Sequence, residues 1–325
     1  MSNGLPAREA LSILFAHVAY RMGDRFKVRG SNIKFTEVRT REEYEAAIPN
    51  ADVVLVSGMW RNDLLPKANK LRFIQSISAG VDQYDKDALR AKGVRLASAQ
   101  GSNERAVAEH AIALILAMSR QLHLGRDNQH AKLWRGMIGD LSKREDELGG
   151  KTLVIVGMGR IGSRLATLAR AFDMHVIGTK RDPSKGAAAA HEVVADGKLL
   201  DVLPRADYVA LTCPLTPQTE KLISEAALKA MKPSSFLINV ARGKVVDEPA
   251  LIAALNAGQI AGAGIDVTVE EPLAATSPLW TMPQVLVTPH TAGETRKYED
   301  NVLDLLMENL DRLYRGETNL KNQIV

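Results

Sequence analysis

Short apolar runs rich in β-branched residues alternate with polar segments of helical length along most of this chain. In the first third these runs are SILFAHV, ADVVLVSG after Pro49, LRFIQSIS and GVRLAS. Strands separated by helices predict parallel βαβ units. From Glu104, the stretch ERAVAEHAIALILAMSRQLHLG carries Val107, Ile112, Ile115, Leu116 and Leu122 at helical spacing and stops before Gly125. It predicts one long, largely buried helix. Arg126 to Gly150 shows no period and contains Trp134, which reads as an extended arm. A second series begins at Lys151 with KTLVIVG and runs through MHVIGT, ADYVALTC, SSFLINVA, AGAGIDV and QVLVTPH, predicting a second, more complete βα domain. Finally, Leu303, Leu306, Leu310 and Leu313 share one helical face that closes at Gly316, and this helix is expected to pack back on the first domain. The expected division is therefore residues 1–103 plus 293–325, and residues 104–292.

A length of 325 residues also favours two domains, and 46% hydrophobic with 25% charged residues is an ordinary globular balance. The net charge of +4 is scattered and aromatics are only 5%, so no nucleic-acid groove is expected. Small anions in a cleft would profit equally from that charge. Cys213 is the sole cysteine, which excludes an intramolecular disulfide and a CxxC site. No apolar window is long enough to span a bilayer, and the N-terminal apolar stretch has no cleavage-like site, so a cytoplasmic protein without membrane partners is expected. The histidines form no HExxH pattern, and no metal is expected.

The chemistry-bearing motif is Gly157-Met158-Gly159-Arg160-Ile161-Gly162, after the apolar run TLVIV and before the helical segment SRLATLARAF. In that context Gly157 makes the tight turn, Gly159 lets a pyrophosphate approach the backbone, and Gly162 allows close helix packing. The unpaired N–H groups of the helix start face the phosphates. A ligand-free glycine turn is the alternative.

Several separated segments resemble the D-isomer-specific 2-hydroxyacid dehydrogenase family, in its order and approximate spacing: VAEHAIALILA, GGKTLVIVGMGRIG, PLTPQT, NVARGKVVDEPAL, GIDVTVEEPL and VLVTPH. The resemblance implies an α/β fold of two doubly wound parallel-sheet domains, a Rossmann-type cofactor domain inserted in a flavodoxin-like substrate domain. It implies reduction of a small 2-oxo acid such as glyoxylate or hydroxypyruvate to a D-2-hydroxy acid. Arg242 falls on the family's substrate-gripping arginine, where a planar guanidinium takes the carboxylate and 2-oxo oxygen in a fork. Glu271 and His290 fall on its acid–base pair, the histidine donating a proton to the nascent alkoxide and the carboxylate orienting it. Asp266 matches a residue near the nicotinamide carboxamide, with strand-end capping as its competing role. Cys213, Pro214, Thr219 and Ala241 match the cofactor-lining turns, Cys213 reading as inert packing. Ala79 and Gly80, in SAGVD, resemble the loop whose N–H groups hold the substrate carboxylate, an ordinary βα turn being the alternative. Asn103 matches the interdomain crossing, as hinge or N-cap. The helix from Glu104 and the Trp134 arm resemble the family's dimerisation elements, which implies a homodimer.

Thr179-Lys180-Arg181 stands where an acidic residue commonly receives the adenine ribose. That points to a 2′-phosphate and to NADP, with NAD as the alternative should Asp182 take the ribose. Thr268 replaces a frequent aromatic, and AGETRKYEDN after His290 is unexpectedly charged for the family. Tyr20, Met22, Met59, Trp60 and Trp134 are candidates for the substrate side-chain pocket. Glu271 disfavours a formate dehydrogenase, for which glutamine is expected there. The chain is expected to end before the regulatory domain of longer phosphoglycerate dehydrogenases, though short forms exist. A dinucleotide-binding corepressor-like module is the alternative from another class.

Overall fold

The computed structural model describes residues 5–187 and 189–325, which divide into two compact units. One holds the described residues up to Asn103 together with Thr295–Val325; the other is Glu104–Glu294. Residues 1–4 of the expected first domain lie outside the described residues.

In chain order, the first unit begins with β1 (Ser12–Ala16), α1 (Met22–Val28), β2 (Lys34–Val38), α2 (Arg41–Ala47), β3 (Val53–Val56), β4 (Phe73–Ser76), α3 (Lys86–Lys92) and β5 (Arg95–Ala97). The second contains α4 (Glu104–Ser119), α5 (Leu122–His130), β6 (Thr152–Val156), α6 (Arg160–Arg170), β7 (His175–Lys180), β8 (Glu192–Ala195), α7 (Leu199–Val202) and β9 (Tyr208–Leu211). It continues with α8 (Glu225–Ala230), β10 (Phe236–Asn239), α9 (Glu248–Asn256), β11 (Gly262–Ile265) and β12 (Val285–Val287), and α10 (Tyr298–Tyr314) returns to the first unit.

The first sheet is parallel with order β2-β1-β3-β4-β5, the flavodoxin-like winding, whose order reverses between β1 and β3. Its central strands are buried on both faces, as continuous apolar runs require. Leu303, Leu306, Leu310 and Leu313 of α10 are buried against Leu11, Phe15, Phe26 and Phe73 of this unit. Asn309, also buried, donates to Gln75 Oε1 at 2.9 Å. One residue of the charged stretch that the sequence left unexplained has partners here: Asp300 on α10 pairs with Arg25 and Arg29 at the end of α1, and Asp304, beyond the stretch, also pairs with Arg29.

The second sheet is parallel with order β12-β11-β10-β9-β6-β7-β8, which is the Rossmann winding with one further strand beyond β11. Its order reverses between β6 and β9, so the crevice rule places ligands at the carboxyl ends of those strands. Both sheets are as the fold class expected.

Three local readings are corrected. The helix from Glu104 does not run on to Leu124: it stops at Ser119, Gln121 takes a left-handed turn with φ +50°, and α5 starts afresh. Asp146 explains the stop, because its N–H and carbonyl bind the Ser119 carbonyl and hydroxyl at 2.9 and 2.6 Å, bringing the arm back to the helix end. The arm is correspondingly shorter at its start, since α5 extends to His130. The sequence reading also missed β2 and β8, both edge strands. Among the described residues no helix is long and apolar enough to cross a membrane.

Candidate active site

The glycine motif sits where the second sheet reverses order. Gly157 follows β6 with φ +100°, a conformation favouring glycine, and a Cβ there would stand 2.8 Å from the Cys213 backbone. A Cβ on Gly162 would overlap the Gly157 carbonyl and lie 2.9 Å from Thr212 Oγ1, so α6 can approach β6 and β9 only without it. Around Gly159 nothing among the described residues lies within 4 Å of a Cβ. The first bond into α6 runs from Ser163 N–H to the Gly159 carbonyl, at 2.9 Å, so the N–H groups of Arg160, Ile161 and Gly162 precede it. Open space beside a helix start with free donors fits a pyrophosphate.

At the end of β7 the three expected phosphate donors separate. Thr179 is buried, and its hydroxyl accepts the Gly157 N–H at 3.3 Å, so it steadies the loop from below and corrects the expectation of a direct donor. Lys180 Nζ donates to the Gly186 carbonyl at 2.9 Å, which bends the ammonium over its own loop. Arg181 is exposed. Asp182, the alternative ribose acceptor, instead receives the N–H and hydroxyl of Ser184 at 3.1 and 2.6 Å, and these bonds hold its carboxyl below the usual range.

Cys213 follows β9, and burial pushes its thiol up to about 11, leaving it neutral and unreactive. Thr219 folds back on the Pro214 carbonyl at 2.7 Å and accepts the Thr216 N–H at 2.7 Å, closing that turn. After β10, buried Asn239 clamps the next turn by accepting the Ala241 N–H at 3.0 Å and donating to the Arg242 carbonyl at 3.1 Å. Arg242 Nη1 donates to the Ala241 carbonyl at 2.7 Å. Sequence reasoning missed Asn239; its only signal was an amide side chain ending an apolar strand.

His290 and Glu271 meet. His290 Nδ1 lies 2.8 Å from Glu271 Oε2, with both side chains partly exposed. Burial alone would raise the Glu271 carboxyl, but the His290 hydrogen bond and charge, the Thr268 N–H and the nearby Arg242 outweigh it and hold the group below its ordinary value. For His290 the Glu271 hydrogen bond leads, and it raises the imidazole above its usual value against burial and the Arg242 charge. Arg242 is thus close enough to act electrostatically on both partners.

Asp266 directly follows β11 and is buried. Oδ1 accepts the Thr288 hydroxyl at 2.6 Å and the Thr291 N–H at 2.9 Å, and Oδ2 accepts the Ala292 N–H at 3.0 Å. Capping, its competing role, is therefore visible. The SAGVD loop belongs to the first unit, after β4; the N–H groups of Ala79 and Gly80 have no hydrogen-bond partner among the described residues. Of the pocket candidates, Met22, Met59 and Trp60 are buried in the first unit's cores, whereas Trp134 is exposed. Among the described residues no three metal-ligating side chains stand together.

The chain is similar to known proteins. The profile of the D-isomer specific 2-hydroxyacid dehydrogenase, NAD binding domain, matches residues 112–292. D-3-phosphoglycerate dehydrogenase of Mycobacterium leprae is 36% identical over 299 residues, 91% of this chain but 54% of that protein, so the chain spans about half its length. Glyoxylate/hydroxypyruvate reductase B of Escherichia fergusonii is 38% identical over 281 residues, 86% of each chain. The crystal structure of the TT0316 protein from Thermus thermophilus superposes with a TM-score of 0.84 at 32% identity, covering 97% of this chain and all of that one. With a family NAD-binding domain matched over most of the second unit, and relatives aligned over both units, the chain belongs to the D-isomer specific 2-hydroxyacid dehydrogenase family.

Proposed function

We propose that this chain reduces a small 2-oxo acid, glyoxylate, hydroxypyruvate or a near relative, to the D-2-hydroxy acid, and prefers NADPH to NADH. The observation that carries the reading is the 2.8 Å contact of His290 Nδ1 with Glu271 Oε2 under the influence of Arg242. With Nδ1 engaged by the carboxylate, Nε2 is the nitrogen that faces outward with a proton to give. Arg242 grips the substrate carboxylate and 2-oxo oxygen, which concentrates developing negative charge beside His290. When bound, the reduced nicotinamide supplies the hydride that C2 receives. His290 protonates the resulting alkoxide, and Glu271 stabilises the imidazolium until then. Solvent reprotonates the half-exposed ring between turnovers.

In this reading residues 104–292 form the cofactor domain, with 1–103 and 293–325 as the substrate domain. Gly157, Gly159, Arg160, Ile161 and Gly162 hold the pyrophosphate, and Lys180 and Arg181 take the 2′-phosphate. Cys213, Pro214, Thr219 and Ala241 line the cofactor, and Asp266 accepts from the carboxamide. The free N–H groups of Ala79 and Gly80 suit a carboxylate. The exposed apolar side chains Leu133, Trp134, Met137 and Leu141 on the arm support a homodimer built through it and α4. The identity shared with the mycobacterial phosphoglycerate dehydrogenase favours a second reading, in which the substrate carries a phosphate.

Steady-state kcat/KM for glyoxylate, hydroxypyruvate, pyruvate and 3-phosphohydroxypyruvate separates the two. Reduction of the unphosphorylated acids with the higher kcat/KM is expected; a dominant rate on the phosphorylated acid selects the second reading, and no reduction of any removes both.

A further inference from the structure

We propose that His110 is a positioning residue for the acid–base pair: through Thr288 it fixes the Asp266 carboxylate around which the His290 backbone is wrapped. The proposal rests on reading His290 as the proton donor.

His110 reaches from α4, with Nε2 2.9 Å from Thr288 Oγ1 and 3.5 Å from Asp266 Oδ1. Thr288 Oγ1 lies 2.6 Å from the same carboxylate oxygen. Asp266 is buried, and the two backbone N–H groups of Thr291 and Ala292 also donate to its carboxylate. The threonine hydroxyl has a single proton. Given to Asp266, it leaves a lone pair toward His110, so His110 donates from Nε2. That assigns its tautomer.

The consequence reaches His290 along the main chain. The Asp266 carbonyl accepts the His290 N–H at 2.8 Å, and its carboxylate takes the next two N–H groups, so three successive donors close on one residue. His290 has φ +56°, a left-handed conformation that a non-glycine residue keeps only where its surroundings over-determine it. Without the His110 donor, the Thr288 hydroxyl is free to rotate and the clamp on that conformation loosens. The His290 ring then departs from the orientation that meets Glu271 and substrate together, and small misplacements of a catalytic group are costly.

The experiment combines imidazole ¹H–¹⁵N correlation spectra of the full chain with steady-state reduction of glyoxylate by NADPH, in the parent and in His110→Leu, His110→Gln and Thr288→Val. Expected are a protonated Nε2 on His110, displaced His290 ring signals in His110→Leu and Thr288→Val, and kcat lowered about tenfold in both. His110→Gln, whose amide nitrogen takes the place of Nε2, is expected to restore kcat to within about threefold of the parent. A bare Nε2 on His110, unmoved His290 signals in both disrupted variants, or equal losses in His110→Gln and His110→Leu would overturn the proposal. A parent that reduces no 2-oxo acid defeats the functional reading instead, and the spectra alone then decide the His110 assignment.

Discussion

Gly162 packs so closely under Gly157 that a Cβ on the former would overlap the carbonyl oxygen of the latter, whereas Gly159 between them faces open space. The two glycines therefore separate packing from ligand approach. Gly162→Ala is expected to lose roughly 1–3 kcal/mol of stability through overpacking, seen as a lower melting temperature without cofactor. Gly159→Ala is expected to melt close to the parent and to bind dinucleotide about tenfold more weakly, since its methyl occupies the approach to the helix start. Equal melting temperatures for both variants would contradict these roles.

Arg242→Lys keeps the charge near Glu271 and His290 but loses the planar fork. Its expected signature is a severe fall in kcat/KM for the 2-oxo acid, on the order of a hundredfold, with dinucleotide affinity near the parent value. Isothermal titration with cofactor beside steady-state kinetics checks the split. Ordinary turnover would show that the carboxylate is gripped elsewhere.

Cofactor choice tests the end of β7. Thr179 is buried and Lys180 is bent onto the Gly186 carbonyl, so Arg181 is the most available cation for a 2′-phosphate. The parent is expected to favour NADPH by about tenfold or more in kcat/KM, and Arg181→Ala to remove most of that preference. Lys180→Ala is expected to remove less. A parent that favours NADH, or an Arg181→Ala variant that keeps its preference, would contradict the assignment.

The central strands of both sheets were legible as short apolar, β-branched runs between turn residues, whereas their windings came from the family resemblance. The edge strands were not legible. In β2 the burial alternates and Lys34, Thr36 and Glu37 break the apolar run; in β8 every residue is only partly buried, and Glu192 opens it. The stop at Ser119 depends on Asp146, far along the chain, which no local period records. Likewise, the three glycines announced their roles through spacing, whereas Glu271 and His290 were paired only by family resemblance, being 19 residues apart. Thr179 shows the limit from the other side: a polar residue beside two cations reads as a donor, and only the register of β7 against β6 turns it under the loop.

The central claim is that His290, charged with the help of Glu271, protonates the reduced carbonyl oxygen. His290→Ala is expected to cost on the order of 10²–10⁴ in turnover. The more direct measurement is the pH dependence of kcat/KM for 2-oxo acid reduction in the parent and in Glu271→Gln. Reduction needs the protonated imidazole, so it proceeds below the His290 pKa and falls as pH rises through it. Glu271 raises that pKa. Glutamine keeps the shape without the charge, so the fall is expected to begin at a lower pH in Glu271→Gln than in the parent. A fall at the same pH in both proteins would contradict the account.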